Sequence, residues 1–287
     1  MSKFVFQKFS KYVGVLKPRE SSLLTFIGVC TAIIAADGGI IWGRLLLLFF
    51  ALLVASAGAN GLTNYLDRDL DSRMMRTRRR ALPAGRINPP EKVLPMLASL
   101  VVLGAVLAWQ LHPLVFAADL VGTVAAVVWR KRWNCVFPQG MMASCAPVLM
   151  GWLVIKPTFS WELLVLCLLI STWLPIHLWS VMISHREEYL RAGINYFPMS
   201  RQSGQVVKLL VILGLALYIV SISLYFVGDF SWLYLVLANL LGGAVLYTSL
   251  RLVITGTSRD SWRLYKLSAF PYLGIIFLGM MLDIWLL

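Results

Sequence analysis

Residues Asn60–Arg86 read NGLTNYLDRDLDSRMMRTRRRALPAGR. The stretch closes a long apolar run, sets Asp67, Asp69 and Asp71 at alternate positions, and follows them with Arg73, Arg76, Arg78, Arg79, Arg80 and Arg86. On a helix, Asn60, Asn64, Asp67 and Asp71 fall in a narrow arc on one face, and Asp69 points the opposite way. Two carboxylates one turn apart repel. At an effective dielectric of about 20 and ~6 Å the cost is roughly 3 kcal/mol. A divalent cation turns that repulsion into binding, and Mg²⁺ favours one or two carboxylates together with substrate phosphate oxygens. Arginine pairs with phosphate through a fork of donors. Two readings follow: a Mg²⁺–diphosphate site at a membrane edge, or a solvated, salt-bridged loop. Asn60 and Asn64, set deeper in the apolar run on the face of the two aspartates, favour the first.

The surrounding chain supplies the membrane. Of 287 residues 59% are hydrophobic and only 14% charged, a balance foreign to a soluble domain of this size. Apolar runs long enough to cross a bilayer recur throughout. The reading is one integral membrane domain over residues 1–287, all-α. Net charge is +13, which in a soluble protein would suggest nucleic acid. Here the basic residues lie between the apolar runs, so topology accounts for them and no nucleic-acid partner is expected. Cys30, Cys135, Cys145 and Cys167 fall in or beside apolar segments without paired spacing, and read as small buried hydrophobes. The basic, amphiphilic N-terminus does not read as a cleavable signal peptide.

Nine spans are expected: residues 21–38, 43–66, 93–111, 113–129, 138–155, 161–183, 206–227, 231–254 and 267–287. With the N-terminus in the cytoplasm and the C-terminus outside, only Arg44 and Lys156 of the 26 Lys and Arg lie on the outer side. That asymmetry is what the positive-inside rule asks of a cytoplasmic membrane protein. The two most polar cytoplasmic loops follow the second and sixth spans.

The sixth span carries a second constellation. Trp173, His177, Ser184 and Glu188 share a helical face, and Pro175 is expected to kink the span. An imidazole within a span is costly unless it meets a cavity or a partner. His177 is therefore either a site residue or the donor of a structural hydrogen bond between helices. Asp119 and Asp283, both toward the outer half of their spans, read as packing residues.

Three stretches together are similar to the UbiA superfamily of intramembrane prenyltransferases. They are LKPR at Leu16–Arg19, NYLDRDLDSRMMRTRRRALPAGRI at Asn64–Ile87, and WLPIHLWSVMISHREEYLRAGINYFP at Trp173–Pro198. The Trp-x-Pro-x-His and Arg-Ala-Gly-Ile elements resemble the branch that farnesylates protohaem IX. Arg130–Arg132 and Gly151–Trp152 are weaker echoes. Three departures stand out. Thr63 replaces an expected asparagine, Asn195 replaces a proline, and Gly140–Trp152 lacks that branch's Gly-Gly and Pro-Pro run.

The resemblance implies nine transmembrane helices around a central cavity, capped by the loops after the second and sixth spans. It implies Mg²⁺ as cofactor, with Asp67 and Asp71 as its ligands. Asn64, Arg76, Arg80 and Glu188 would hold the diphosphate, and Asp67, Asp71 and His177 would carry catalysis. It implies farnesyl diphosphate, or another prenyl diphosphate, as donor and haem b as acceptor. His177 could orient the acceptor, bind its iron or relay a proton. Alternatives are another acceptor (an aromatic quinone precursor or a lipid), an altered and inactive member, or a transporter. Transporters usually place their charges near the midplane, whereas these charges gather at one edge.

Overall fold

A computed structural model describes residues 10–39, 41–128 and 136–286. Lys3 and Lys8, the Arg130–Arg132 echo, Trp129 and Cys135 lie outside the described residues. The described chain is helical, with no strand among its residues. In hydrocarbon no water satisfies the backbone, so each crossing segment must close its own hydrogen bonds.

The long helices are α1 (Pro18–Ala35) and α2 (Trp42–Leu66). The short α3 (Arg68–Ser72) follows, then α4 (Leu94–Leu111), entered through a 3₁₀ turn at Pro90–Val93. Next come α5 (Pro113–Val128), α6 (Gln139–Leu153), α7 (Trp161–Ser184) and the short α8 (Arg186–Arg191). The chain ends with α9 (Ser203–Val227), α10 (Trp232–Thr255), α11 (Ser258–Leu267) and α12 (Leu273–Leu286).

Helices occupy all nine expected spans, but they do not all qualify as crossings by length and apolarity. Among the described residues six segments do: α2, Pro90–Leu111, α7, α9, α10 and Ser258–Trp285. Helix α1 opens on Pro18, Arg19 and Glu20, while α5 and α6 have 16 and 15 residues. The last expected span also needs correction. Its apolar helix starts at Leu273, and the preceding residues form the separate amphipathic α11. A π-helical segment, Ser268–Tyr272, joins the two, with Ala269 at ψ −137° and Pro271 inside it. Proline supplies no N–H and its ring crowds the preceding turn, so one straight helix is not available there. By contrast α7 runs on through Pro175.

Helix α1 packs between α2, α6 and α12, and α7 packs against α6, α9 and α11. Lipid tails are as apolar as leucine, so helix association depends on close contact. Small residues provide it. A β-carbon on Gly151 would stand 2.1 Å from the carbonyl oxygen of Gly28, where α6 crosses α1. Outward positions such as Val102, Ile212, Ile219 and Leu240 are exposed and apolar, as a lipid-facing surface requires. Asp283, read as a packing residue, serves the start of α10. It accepts from the backbone N–H groups of Ser231 (2.7 Å) and Tyr234 (3.1 Å) and from the Ser231 hydroxyl. Three of the cysteines, Cys30, Cys145 and Cys167, are free thiols, the first two buried.

At one end of the bundle a second, smaller core forms. Val15, Ala81, Leu82, Ile87, Val93 and Leu97 pack together, joining the N-terminal segment, the loop after α2 and the start of α4. This cluster seats the arginine-rich loop over the bundle.

Candidate active site at the membrane edge

Helix α2 ends at Leu66, one residue before the first aspartate. Asp67 caps it with φ −88° and ψ 0° and leads directly into α3. The helical bonding survives the junction. Asp67 N–H donates to Thr63 O (2.9 Å) and Asp71 N–H to Asp67 O (2.8 Å). Asp67 and Asp71 thus stay one turn apart, as the spacing predicts.

Asp71 is buried, and Arg80 Nη1 donates to its Oδ2 at 2.8 Å. The hydroxyl of Thr77 donates to Asp71 O (2.9 Å), folding the loop back over the short helix. Asp69 is the most open of the three acids, with its side chain 73% exposed and 3.8 Å from Arg68.

The loop after α7 arrives at the same place. Arg76 N–H donates to Glu188 Oε2 (3.4 Å), and its guanidinium to Tyr189 Oη (3.3 Å). Lys17 closes a third side. It stands at φ 49° just before Pro18, and its ammonium donates to Thr63 Oγ1 (3.2 Å). Thr63, where the resemblance expects an asparagine, is therefore tied to the lysine of the LKPR stretch.

Below this mouth lies a cavity of about 710 Å³, within the ~300–1,000 Å³ usual for small-molecule sites. Asp67, Asp69, Asp71, Arg73, Arg76 and Arg80 line its charged part together with Lys17 and Glu20. Leu52, Ala55, Met150, Leu174 and Met182 give it apolar walls, and His177 and Tyr265 stand on the α7–α11 side. The segment that departs from the resemblance, through Gly140, Ala143, Ser144 and Pro147, forms another wall.

Five of the seven expected site residues line this one cavity: Asp67, Asp71, Arg76, Arg80 and His177. Two stand behind it. Asn64 is buried. Its amide donates to Val15 O (2.7 Å), and its Oδ1 accepts from Arg80 (3.4 Å). Glu188 is not on the α7 face with His177, because α7 ends at Ser184 and the chain turns at His185 (φ −120°, ψ 30°). Asn64 and Glu188 thus brace Arg80 and Arg76.

Wall residues that escaped the sequence reading include Tyr265, Asp119 and Gln139. Asp119, read as packing, is buried and lines the cavity from α5. Gln139, at the first turn of α6, is buried against the cavity with its Nε2 unpaired among the described residues. A polar residue opening an apolar run was the only available hint of it.

The model of the UbiA prenyltransferase family matches residues 22–273. This chain belongs to that family. It is 35% identical over 283 residues to the protoheme IX farnesyltransferase of Desulforudis audaxviator, covering 96% of this chain and 88% of that one. A digeranylgeranylglyceryl phosphate synthase structure superposes with TM-score 0.79 at 16% identity, over 98% of this chain and 100% of that chain. A UbiA homologue from Archaeoglobus fulgidus, bound to GPP and Mg²⁺, superposes with TM-score 0.64 at 15% identity, over 94% and 99% of the two chains. At such identities the structures establish the shared fold. With six segments of crossing length among its described residues, the chain is a multi-pass membrane prenyltransferase of the UbiA fold.

Proposed function

We propose that this protein transfers the farnesyl group of farnesyl diphosphate to a vinyl group of haem b, giving haem O. It does so as one domain in the cytoplasmic membrane, with its N-terminus inside and its C-terminus outside. The carrying observation is the cavity itself: acids and arginines at the mouth, apolar walls, and a histidine set below. The farnesyltransferase relative, alike over nearly the whole chain, supports the donor and the acceptor.

The donor set suits Mg²⁺. Asp67 and Asp71 offer hard oxygens one turn apart on the cavity rim, and Mg²⁺ binds through one or two carboxylates plus phosphate oxygens. Among the described residues no group of three or more His, Cys, Asp and Glu could hold an ion by itself. Bound by Asp67 and Asp71, Mg²⁺ supplies charge neutralisation at the diphosphate.

The protein's residues do the rest. Arg76 and Arg80 direct guanidinium donors at the departing oxygens, where charge grows as the C1–O bond breaks and its electron pair leaves with diphosphate. Glu188 and Asn64 hold those arginines in place. Leu52, Leu174 and Met150 shield the allylic cation from water. The vinyl π pair forms the new C–C bond, and water adds to the resulting cation and releases a proton.

The test is mass spectrometry of haem extracted after co-expression, with purified protein offered farnesyl diphosphate and either haem b or a hydroxybenzoate. The farnesyl adduct is expected on haem alone. An adduct on the hydroxybenzoate, with none on haem, would overturn the acceptor.

A further inference from the structure

We propose that Ser268 fixes the tautomer of His177, leaving its Nε2 bare to ligate the iron of the haem acceptor. The inference rests on haem b being that acceptor. His177 Nδ1 lies 3.2 Å from Ser268 Oγ. The same Oγ lies 3.0 Å from the carbonyl oxygen of Tyr265, one turn back. A hydroxyl has a single proton, and a carbonyl can only accept. Both contacts are hydrogen bonds at once in one arrangement only. Ser268 O–H donates to Tyr265 O, and His177 Nδ1–H donates to Ser268 Oγ. The other tautomer would need the serine proton for Nδ1 and would forfeit the bond to Tyr265.

With the ring neutral and its proton on Nδ1, Nε2 carries a lone pair. It makes no hydrogen bond among the described residues, and His177 lines the cavity. The ring is also held in orientation. Trp173 stacks on it at 4.9 Å with 18° between planes, and Tyr265 lies at 4.7 Å and 33°. Ser268 is itself pinned. It is fully buried, its carbonyl accepts from Trp173 Nε1, and it opens the π-helical segment that interrupts the last crossing.

A neutral imidazole with one nitrogen hydrogen-bonded to the protein and the other open is the arrangement that takes a haem iron as axial ligand. The ligand class is an iron porphyrin, and the role of Ser268 is positioning. His177 would hold the porphyrin by its metal while the reacting vinyl group stays at the periphery.

The experiment titrates purified protein with ferric haem b and, separately, with metal-free protoporphyrin IX, without any prenyl diphosphate. Soret absorption and electron paramagnetic resonance read the axial ligand. The wild type is expected to show a histidine-ligated iron, and His177→Ala to lose that signature. Ser268→Ala is expected to weaken haem affinity by about 10–100-fold and to leave metal-free protoporphyrin binding unchanged. A purely structural role for Ser268 would weaken both porphyrins equally, and that result would overturn the proposal. So would an intact histidine signature in His177→Ala, or unchanged haem affinity in Ser268→Ala. The same wild-type preparation is assayed for the farnesyl adduct. Adduct without histidine ligation overturns this assignment alone, whereas neither adduct nor haem binding overturns the acceptor as well.

Discussion

At the residue scale, the site divides into side chains that face the cavity and side chains that hold them. Arg80 faces it and bonds Asp71 at 2.8 Å. Its planar fork is the feature that matters, so Arg80→Lys should restore little of what Arg80→Ala loses. Each variant should lower kcat by about 10²-fold or more, the scale of losing one donor to developing charge. Steady-state turnover with farnesyl diphosphate checks it. Asn64 stands behind, and its truncation leaves Val15 O without a donor. Asn64→Ala should therefore lower stability by about 1–3 kcal/mol, read by thermal unfolding in detergent, while KM for the diphosphate moves little. A large KM change at full stability would put Asn64 back on the substrate. Spacing alone could not make this division. It places Asn64 and Asp67 on one arc, but which of them meets the cavity depends on Val15 and on the returning loop. Asp119 shows the converse. Its sequence context, an isolated acid in an apolar run, is the same for a packing residue as for a wall residue, and only the position of α6 beside it decides.

At the scale of elements, most boundaries were legible because apolar length and the basic loops fix them together. The second expected span, residues 43–66, and the observed Trp42–Leu66 end on the same residue. The miss at residues 258–272 has a physical cause. Helix α11 is amphipathic, with Trp262, Leu264 and Tyr265 among Arg259, Arg263 and Lys266, and Pro271 then breaks the path into the apolar α12. A reading by apolar run joins the last turn of one to the other. That break brings Ser268 and Tyr265 to His177. Close helix approach gives a further expectation. Gly151→Val places carbon against Gly28 O and must force α1 and α6 apart, costing about 1–3 kcal/mol or more. Gly243, with nothing within 4 Å of a built β-carbon, should accept alanine with a gain of up to about 1 kcal/mol. Thermal unfolding of the two variants should shift in opposite directions. Equal behaviour would mean that the α1–α6 contact is looser than described.

At the scale of the whole molecule, charge asymmetry and the carboxylate edge make one claim: the arginine-rich loop lies on the cytoplasmic side, over a cavity that opens there. Labelling of single cysteines introduced into a chain without its native ones checks it. Arg78→Cys should react with a membrane-impermeant thiol reagent only from the cytoplasmic face. Phe159→Cys, at an exposed position in the loop before α7, should react only from the outer face. Reaction of both from one side would remove the alternation of spans.

The central claim is that paired acids at the cavity rim hold Mg²⁺ and diphosphate for prenyl transfer. Its most direct test is the farnesyl-haem yield of Asp67→Ala beside the wild type, in lipid vesicles with farnesyl diphosphate, haem b and titrated Mg²⁺. The wild type should form the adduct in a Mg²⁺-dependent manner, and the variant should form none while retaining its wild-type unfolding temperature. Undiminished product from a folded Asp67→Ala protein would contradict the account.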